Sequence, residues 1–173
     1  MKGFIKGNDV KVVVTGSAWM GRGTGSVESA IEEMLCEAKE EVQVAAFQIT
    51  EGGTQFLKLV EESLARGIRV TLIVNKFSSQ PTRVQKALDD LAVRFPHFIL
   101  VDFNPDNRIQ DLHAKIVVVD RSLALIGSPN LSWKGLVINH ELGVVLSGPV
   151  AKTVSNLLDL LAADSSASVR RIE

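Results

Sequence analysis

The strongest constraint on how this chain folds is a series of short apolar runs rich in β-branched residues, at positions 10–14, 42–49, 68–74, 98–101, 115–119, 123–126 and 142–146. Each is short enough to be a strand. Several are apolar on both faces, which suits strands covered by helices above and below rather than an open antiparallel sheet. Helical segments supply that cover at 26–38, 54–66, 82–94 and 151–161, the first opened by Ser26 with Ser29 nearby and the second closed by Gly67. The order reads β-α-β-α-β-α-β, then three closely spaced strands, then a helix. It predicts an α-β-α sandwich with a mixed, largely parallel central sheet, helices on both faces and late strands in hairpins. At 173 residues and 46% hydrophobic composition the chain fills one core and is short for two. A single domain spanning 1–173 is expected, with a core over about 10–161 and a frayed serine-bearing tail at 162–173.

A formal net charge of -1 with 23% charged residues argues against a global basic field, so any polyanion site must be local. The single cysteine, Cys36, rules out an intramolecular disulfide and a two-cysteine metal site, and its place in an amphipathic helix predicts buried packing. Residues 1–9 lack a continuous apolar stretch, so neither a secretory signal nor a membrane span is expected there and a cytoplasmic, soluble protein follows. Gly21, Gly23 and Gly25 precede a helix in the manner of a phosphate cradle. They lack the lysine–serine/threonine ending of a nucleotide P-loop and the spacing of a dinucleotide fingerprint, and read as a flexible connection.

The segment that carries chemistry runs from His113 through Lys115, Asp120, Gly127, Ser128 and Asn130, followed by Asn139, His140 and Glu141. Alternation along a strand places His113 and Lys115 on one face, so imidazole and ammonium point into one space. A returning strand then delivers the turn 127–130, where Ser128 and Asn130 offer a hydroxyl and an amide, both phosphate-binding groups. Glu141 opens the next apolar strand. A carboxylate bordering a buried run needs a partner, and a histidine N–H is a natural one. An imidazole beside a fixed cation and two neutral donors is equipped to attack phosphorus without a metal or other cofactor.

The spacing H-x-K-x4-D-x6-G-S-x-N, read from His113 to Asn130, resembles the signature of the phospholipase D superfamily at every fixed position. With average residue usage, six such positions coincide by chance in roughly one in 10^6 chains of this length. The run around 42–50 and the stretch 64–70, containing Ala65, Arg66 and Gly67, also resemble the family, so the likeness spans about 10–161. It implies that His113 is a nucleophile forming a phosphohistidine, that Lys115, Ser128 and Asn130 bind phosphoryl oxygens, and that Glu141 orients His113. Asp120 matches the motif's aspartate but lies at the far end of the strand, which implies a structural role at the turn into Ser122. Family catalysis uses two copies of the motif, one histidine attacking and the other protonating the leaving group. This sequence carries one copy, so the resemblance implies a homodimer with a shared site and a bell-shaped pH profile.

Other residues read more plainly. His97 is expected to be an ordinary strand-start residue, His140 to face away from Glu141, and Trp19 and Trp133 to be packing residues, with Lys134 beside the latter. Arg22 and Arg108 are exposed candidates for contacting further phosphates. The resemblance leaves the substrate open between nucleic acid and phospholipid. The small single-motif members it most resembles are nucleases, and no amphipathic basic helix or exposed aromatic cluster argues for a bilayer surface. Nucleic-acid affinity would rest on Lys76, Arg83, Arg108 and Lys134 gathering on one face. A nucleic-acid-binding subunit of a larger defence or processing complex is the third reading.

Overall fold

The computed structural model describes residues 9–21, 24–50, 53–105 and 109–170. Nine strands, β1 (Val10–Thr15), β2 (Gly25–Ser26), β3 (Glu41–Ala46), β4 (Arg69–Asn75), β5 (Phe98–Phe103), β6 (Ile116–Val119), β7 (Leu123–Gly127), β8 (Glu141–Ser147) and β9 (Ala167–Val169), form one sheet in the order β2-β1-β8-β7-β6-β3-β4-β5-β9. Four helices, α1 (Val27–Glu37), α2 (Thr54–Ala65), α3 (Thr82–Arg94) and α4 (Pro149–Ala162), connect and cover it.

Burial explains the all-apolar strands. Alternate sheet residues Val42, Val44, Val70, Leu72, Val117 and Val145 join one core with α1, α2 and α3, whereas Ala45, Ile73, Val101, Val118 and Ala124 meet α4 on the other face. Leu72 and Leu100 are essentially inaccessible to solvent, and truncating either to alanine is expected to cost about 2–5 kcal/mol. Ser26 caps α1, its Oγ accepting from the Ser29 amide at 2.9 Å, and Gly67 follows the last turn of α2. Gln43 is a buried polar residue inside β3. It accepts from Ser155 Oγ at 2.5 Å and donates to Asp159 at 2.6 Å, so α4 is keyed to the sheet by hydrogen bonds as well as by apolar contact.

The sandwich with helices on both faces is as expected, but the sheet is less parallel than the βα alternation suggests. Only β1–β2, β3–β4 and β4–β5 pair in parallel, while β1–β8, β8–β7, β7–β6, β6–β3 and β5–β9 are antiparallel. The late hairpin strands slot between β1 and β3 instead of extending an edge, which converts the middle of the sheet. The tail also departs from expectation. Residues 167–169 add β9 to β5, and Arg170 pairs with Asp89 at 3.1 Å while its guanidinium lies 3.7 Å from the Phe77 ring centroid. Cys36 is exposed, not packed, because its position falls on the solvent side of α1, next to buried Leu35.

This topology has one consequence for chemistry. The carboxyl ends of β1, β3, β4 and β7 and the amino ends of β6 and β8 meet at the same end of the sheet, since Ala45 pairs with Ile116, Gly127 with Gly143 and Thr15 with Glu141. Loops leaving that end are free to converge on one site.

Candidate active site

His113 and Lys115 lie just before β6, with the Lys115 carbonyl accepting from the Gly127 amide at 3.3 Å. The expected meeting of their side chains is present: Lys115 Nζ stands 3.2 Å from His113 Nδ1 and 3.4 Å from Nε2, and donates to the His113 carbonyl at 2.7 Å. The imidazole is exposed, while Lys115 is 9% exposed. Burial pushes the Lys115 ammonium below the ordinary lysine range, and the negative charge of Glu141 partly opposes that shift. Both residues lean on Phe47, at the loop leaving β3. Its ring centroid is 4.6 Å from that of His113, with the two rings tilted by 52°, and 5.0 Å from Lys115 Nζ, a cation–π contact.

Gly127, the motif's glycine, is needed for close approach. A Cβ there would stand 2.8 Å from both Gly143 Cα and the Leu142 carbonyl, so β7 and β8 touch backbone to backbone. That contact brings Ser128 against the start of β8: the Leu142 carbonyl accepts from the Ser128 amide at 3.0 Å, and the Leu142 amide donates to Ser128 Oγ at 3.2 Å. Ser128 Oγ in turn donates to Glu141 Oε2, and Asn139 Nδ2 donates to Glu141 Oε1 at 3.2 Å. Glu141 therefore holds Ser128 and Asn139. The expected carboxylate–imidazole hydrogen bond from Glu141 to His113 is not formed in this arrangement, because both carboxylate oxygens are engaged from the β7–β8 side.

Asn130 is fixed by the short π-helical turn Lys134–Ile138, where a Cβ on Gly135 would meet the Asn130 carbonyl at 2.4 Å. Its side-chain Oδ1 is buried and has no hydrogen-bond partner among the described residues. A buried unpaired amide oxygen carries a desolvation cost of about 1–3 kcal/mol. Asp120 lies elsewhere. It sits in the β6–β7 turn at φ 49°, with Arg121 at 52°, and its carboxylate accepts from the amides of Lys39, Glu40 and Glu41 at 3.0, 2.8 and 3.0 Å. This geometry ties the β6–β7 turn to the start of β3.

His97 immediately precedes β5, and its Nε2 is 3.0 Å from the Leu64 carbonyl. His140 Nε2 accepts from the Ala18 amide at 3.3 Å and its ring meets Trp19 edge-on at 5.5 Å. Trp19 and Trp133 are 39% and 53% exposed, so neither is the packing residue expected. Lys134 is exposed beside Trp133, Lys76 forms a 2.9 Å ion pair with Asp111, and Arg83 lines a groove between α2 and α3 with Lys58, Glu61 and Asp90. Arg22 and Arg108 lie outside the described residues. Among the described residues no helix is long and apolar enough to cross a membrane. Phe47 was not legible as a site residue. Its only signal is its place immediately after β3, a strand buried along its whole length.

One end of the sheet thus carries a histidine and a buried lysine just before β6 and a serine and an asparagine just after β7. The family model of the cardiolipin synthase, phospholipase D-like domain matches residues 31–163, and the chain belongs to that family, within the phospholipase D superfamily. It is 25% identical over 132 residues to the DISARM protein DrmC of Bacillus paralicheniformis, an alignment covering 75% of this chain and 53% of that protein. The chain thus spans about half the length of that relative. Its fold is similar to that of Nuc from Salmonella typhimurium, a phospholipase D family member, at a TM-score of 0.75 and 16% identity, covering 96% of this chain and 100% of the other. It is also similar to phosphatidylserine synthase of Haemophilus influenzae, at a TM-score of 0.70 and 14% identity, covering 93% of this chain and 40% of that one.

Proposed function

We propose that the protein is a metal-independent nuclease that cleaves DNA or RNA through a phosphohistidine on His113, with its active site completed by a second copy of the chain. The observation that supports it most is the buried ammonium of Lys115 within 3.2 Å of an exposed imidazole. In this reading a ring nitrogen of His113 attacks phosphorus, a P–N bond forms and the P–O bond to the leaving nucleoside breaks. Lys115 supplies fixed positive charge to the non-bridging oxygens. Asn130 would offer the N–H groups of its amide to those oxygens, and Ser128 its hydroxyl proton on turning from Glu141. Glu141 sets the direction of the Ser128 hydroxyl and adds negative charge that favours a charged Lys115.

The leaving oxygen needs a proton, and the sequence has three histidines. His97 is engaged by the Leu64 carbonyl and His140 by the Ala18 amide, so neither is hydrogen-bonded to His113. A symmetry-related His113 is the acid that a two-fold dimer would supply, and the same group would take the proton of the water that later breaks the P–N bond. Exposed Trp19 and Trp133, on the loops that follow β1 and β7 at the site's end of the sheet, support a nucleic-acid substrate, since exposed aromatic faces stack unpaired bases, and Lys134 adds a cation beside one of them.

Cleavage of single- and double-stranded DNA, RNA and a fluorescent phosphatidylcholine, all in EDTA, compares wild type with His113→Ala. Nucleic-acid cleavage that survives the chelator and is lost in the variant is the expected result. Turnover of the lipid alone would move the substrate to phospholipid, and loss of activity in EDTA would end the metal-independent reading.

A further inference from the structure

We infer that Asn75 and Gln80, both outside the histidine–lysine motif, form a buried polar clasp that positions His113 from below. They are positioning residues. The inference rests on the reading of His113 as the reacting group. Residues 111–115 belong to no strand; the Gly127 amide reaches the Lys115 carbonyl at 3.3 Å, but the peptide at 111–113 lies ahead of the ladder that fixes β6. Asn75, the last residue of β4, reaches this segment with both ends of its amide. Its Oδ1 accepts from the Leu112 amide at 2.8 Å, and its Nδ2 donates to Asp111 Oδ1 at 3.1 Å.

Gln80 ties Asn75 to the aromatic wall. Its Nε2 donates to the Asn75 carbonyl at 2.8 Å and to the Phe47 carbonyl at 3.1 Å, while its Oε1 accepts from the Ile49 amide at 3.0 Å. Phe47 is the residue whose ring makes a tilted contact with the His113 imidazole and a cation–π contact with Lys115. Two side chains, each 5% exposed, therefore hold the two surfaces between which the imidazole is oriented: the peptide before it and the ring beside it. Packing alone would place apolar residues at such positions. A fully satisfied buried amide pair fixes direction, which apolar contact does not. Misplacement by about 1 Å at a reacting group is enough to lower turnover by about 100-fold.

The test exchanges the polarity of the clasp. Asn75→Asp sets a carboxylate against Asp111, and adding Asp111→Asn restores one donor and one acceptor with the roles reversed. Turnover of bis(p-nitrophenyl) phosphate is followed alongside the ring resonances of the three histidines. In Asn75→Asp, kcat is expected to fall roughly 10- to 100-fold with KM within about twofold. The His113 resonance, shifted by the Phe47 ring, should move while those of His97 and His140 stay, and the double variant should regain both signals. An unmoved His113 resonance, equal movement of all three, or no recovery in the double variant would overturn the clasp. Should Asn75→Asp not fold, Gln80→Met removes the Phe47 and Asn75 bonds and must produce the same selective shift. If the wild type turns over no diester, the resonances alone decide the clasp, and the failure belongs to the nuclease reading.

Discussion

Lys115 is the residue whose environment most sharply separates stability from activity. Its ammonium is buried against Phe47 and the His113 carbonyl, and that burial lowers its affinity for a proton. The folded chain therefore releases this proton at lower pH than the unfolded chain, whose lysine keeps the usual value of 10.5. Between the two values the unfolded state binds more protons, so stability rises with pH in that alkaline window. Activity falls across the same window as the positive charge is lost. Lys115→Met should abolish turnover, raise unfolding stability at neutral pH by up to about 1 kcal/mol and flatten this part of the stability–pH curve. Denaturant melts from neutral to alkaline pH read both effects, and an unchanged slope in the variant would show that Lys115 is not the group responsible. Glu141 and Asp120 show where residue-level reading succeeds and fails. Asp120 lies five positions beyond Lys115, and strand geometry alone puts it at the opposite end of β6. The partner of Glu141 depends on how closely β7 meets β8, which two glycines decide in three dimensions.

At the scale of elements, β9 closes the edge of the sheet that the early helices leave open. Three residues pair with β5, and Arg170 donates backbone to the Leu100 carbonyl at 2.8 Å while its side chain bridges Asp89 and Phe77. Arg170→Ala removes a half-exposed ion pair and a cation–π contact and should cost about 1–2 kcal/mol. Removal of residues 165–173 should cost more and expose the β5 edge, read as a lower melting temperature and concentration-dependent aggregation. A truncated protein as stable and monodisperse as the full chain would mean that β9 is dispensable. This strand was invisible in the sequence because a three-residue element has no period to detect and is held by a partner 64 residues away in the chain, the separation of Ala167 from Phe103. Helix α3 is the contrasting case: apolar periodicity gives 82–94, and Thr82–Arg94 is what forms, since Val84, Leu88 and Leu91 fall on one buried face. The direction of pairing was harder to read, because alternation of strand and helix fixes only β3, β4 and β5, whereas hairpins place β6, β7 and β8 by their turns.

For the whole molecule the site is chemically one-sided. His113 opens to solvent with Lys115 behind it, and the remaining two histidines are spent on the Leu64 carbonyl and the Ala18 amide. If two copies each contribute His113 to one shared site, a mixed dimer of wild type and His113→Ala lacks either the nucleophile or the acid. Activity of an equilibrated mixture should then follow the square of the wild-type fraction, because only wild-type pairs are complete. An equimolar mixture should retain about a quarter of the activity, against about half for independent subunits. Exchange between copies must be fast for this to hold, so the mixture is first equilibrated by dilution and reconcentration, with sedimentation confirming the dimer. A linear dependence on the wild-type fraction would place the whole reaction within one chain, and with no other histidine beside His113 the proton for the leaving group would then have to come from water or from Lys115.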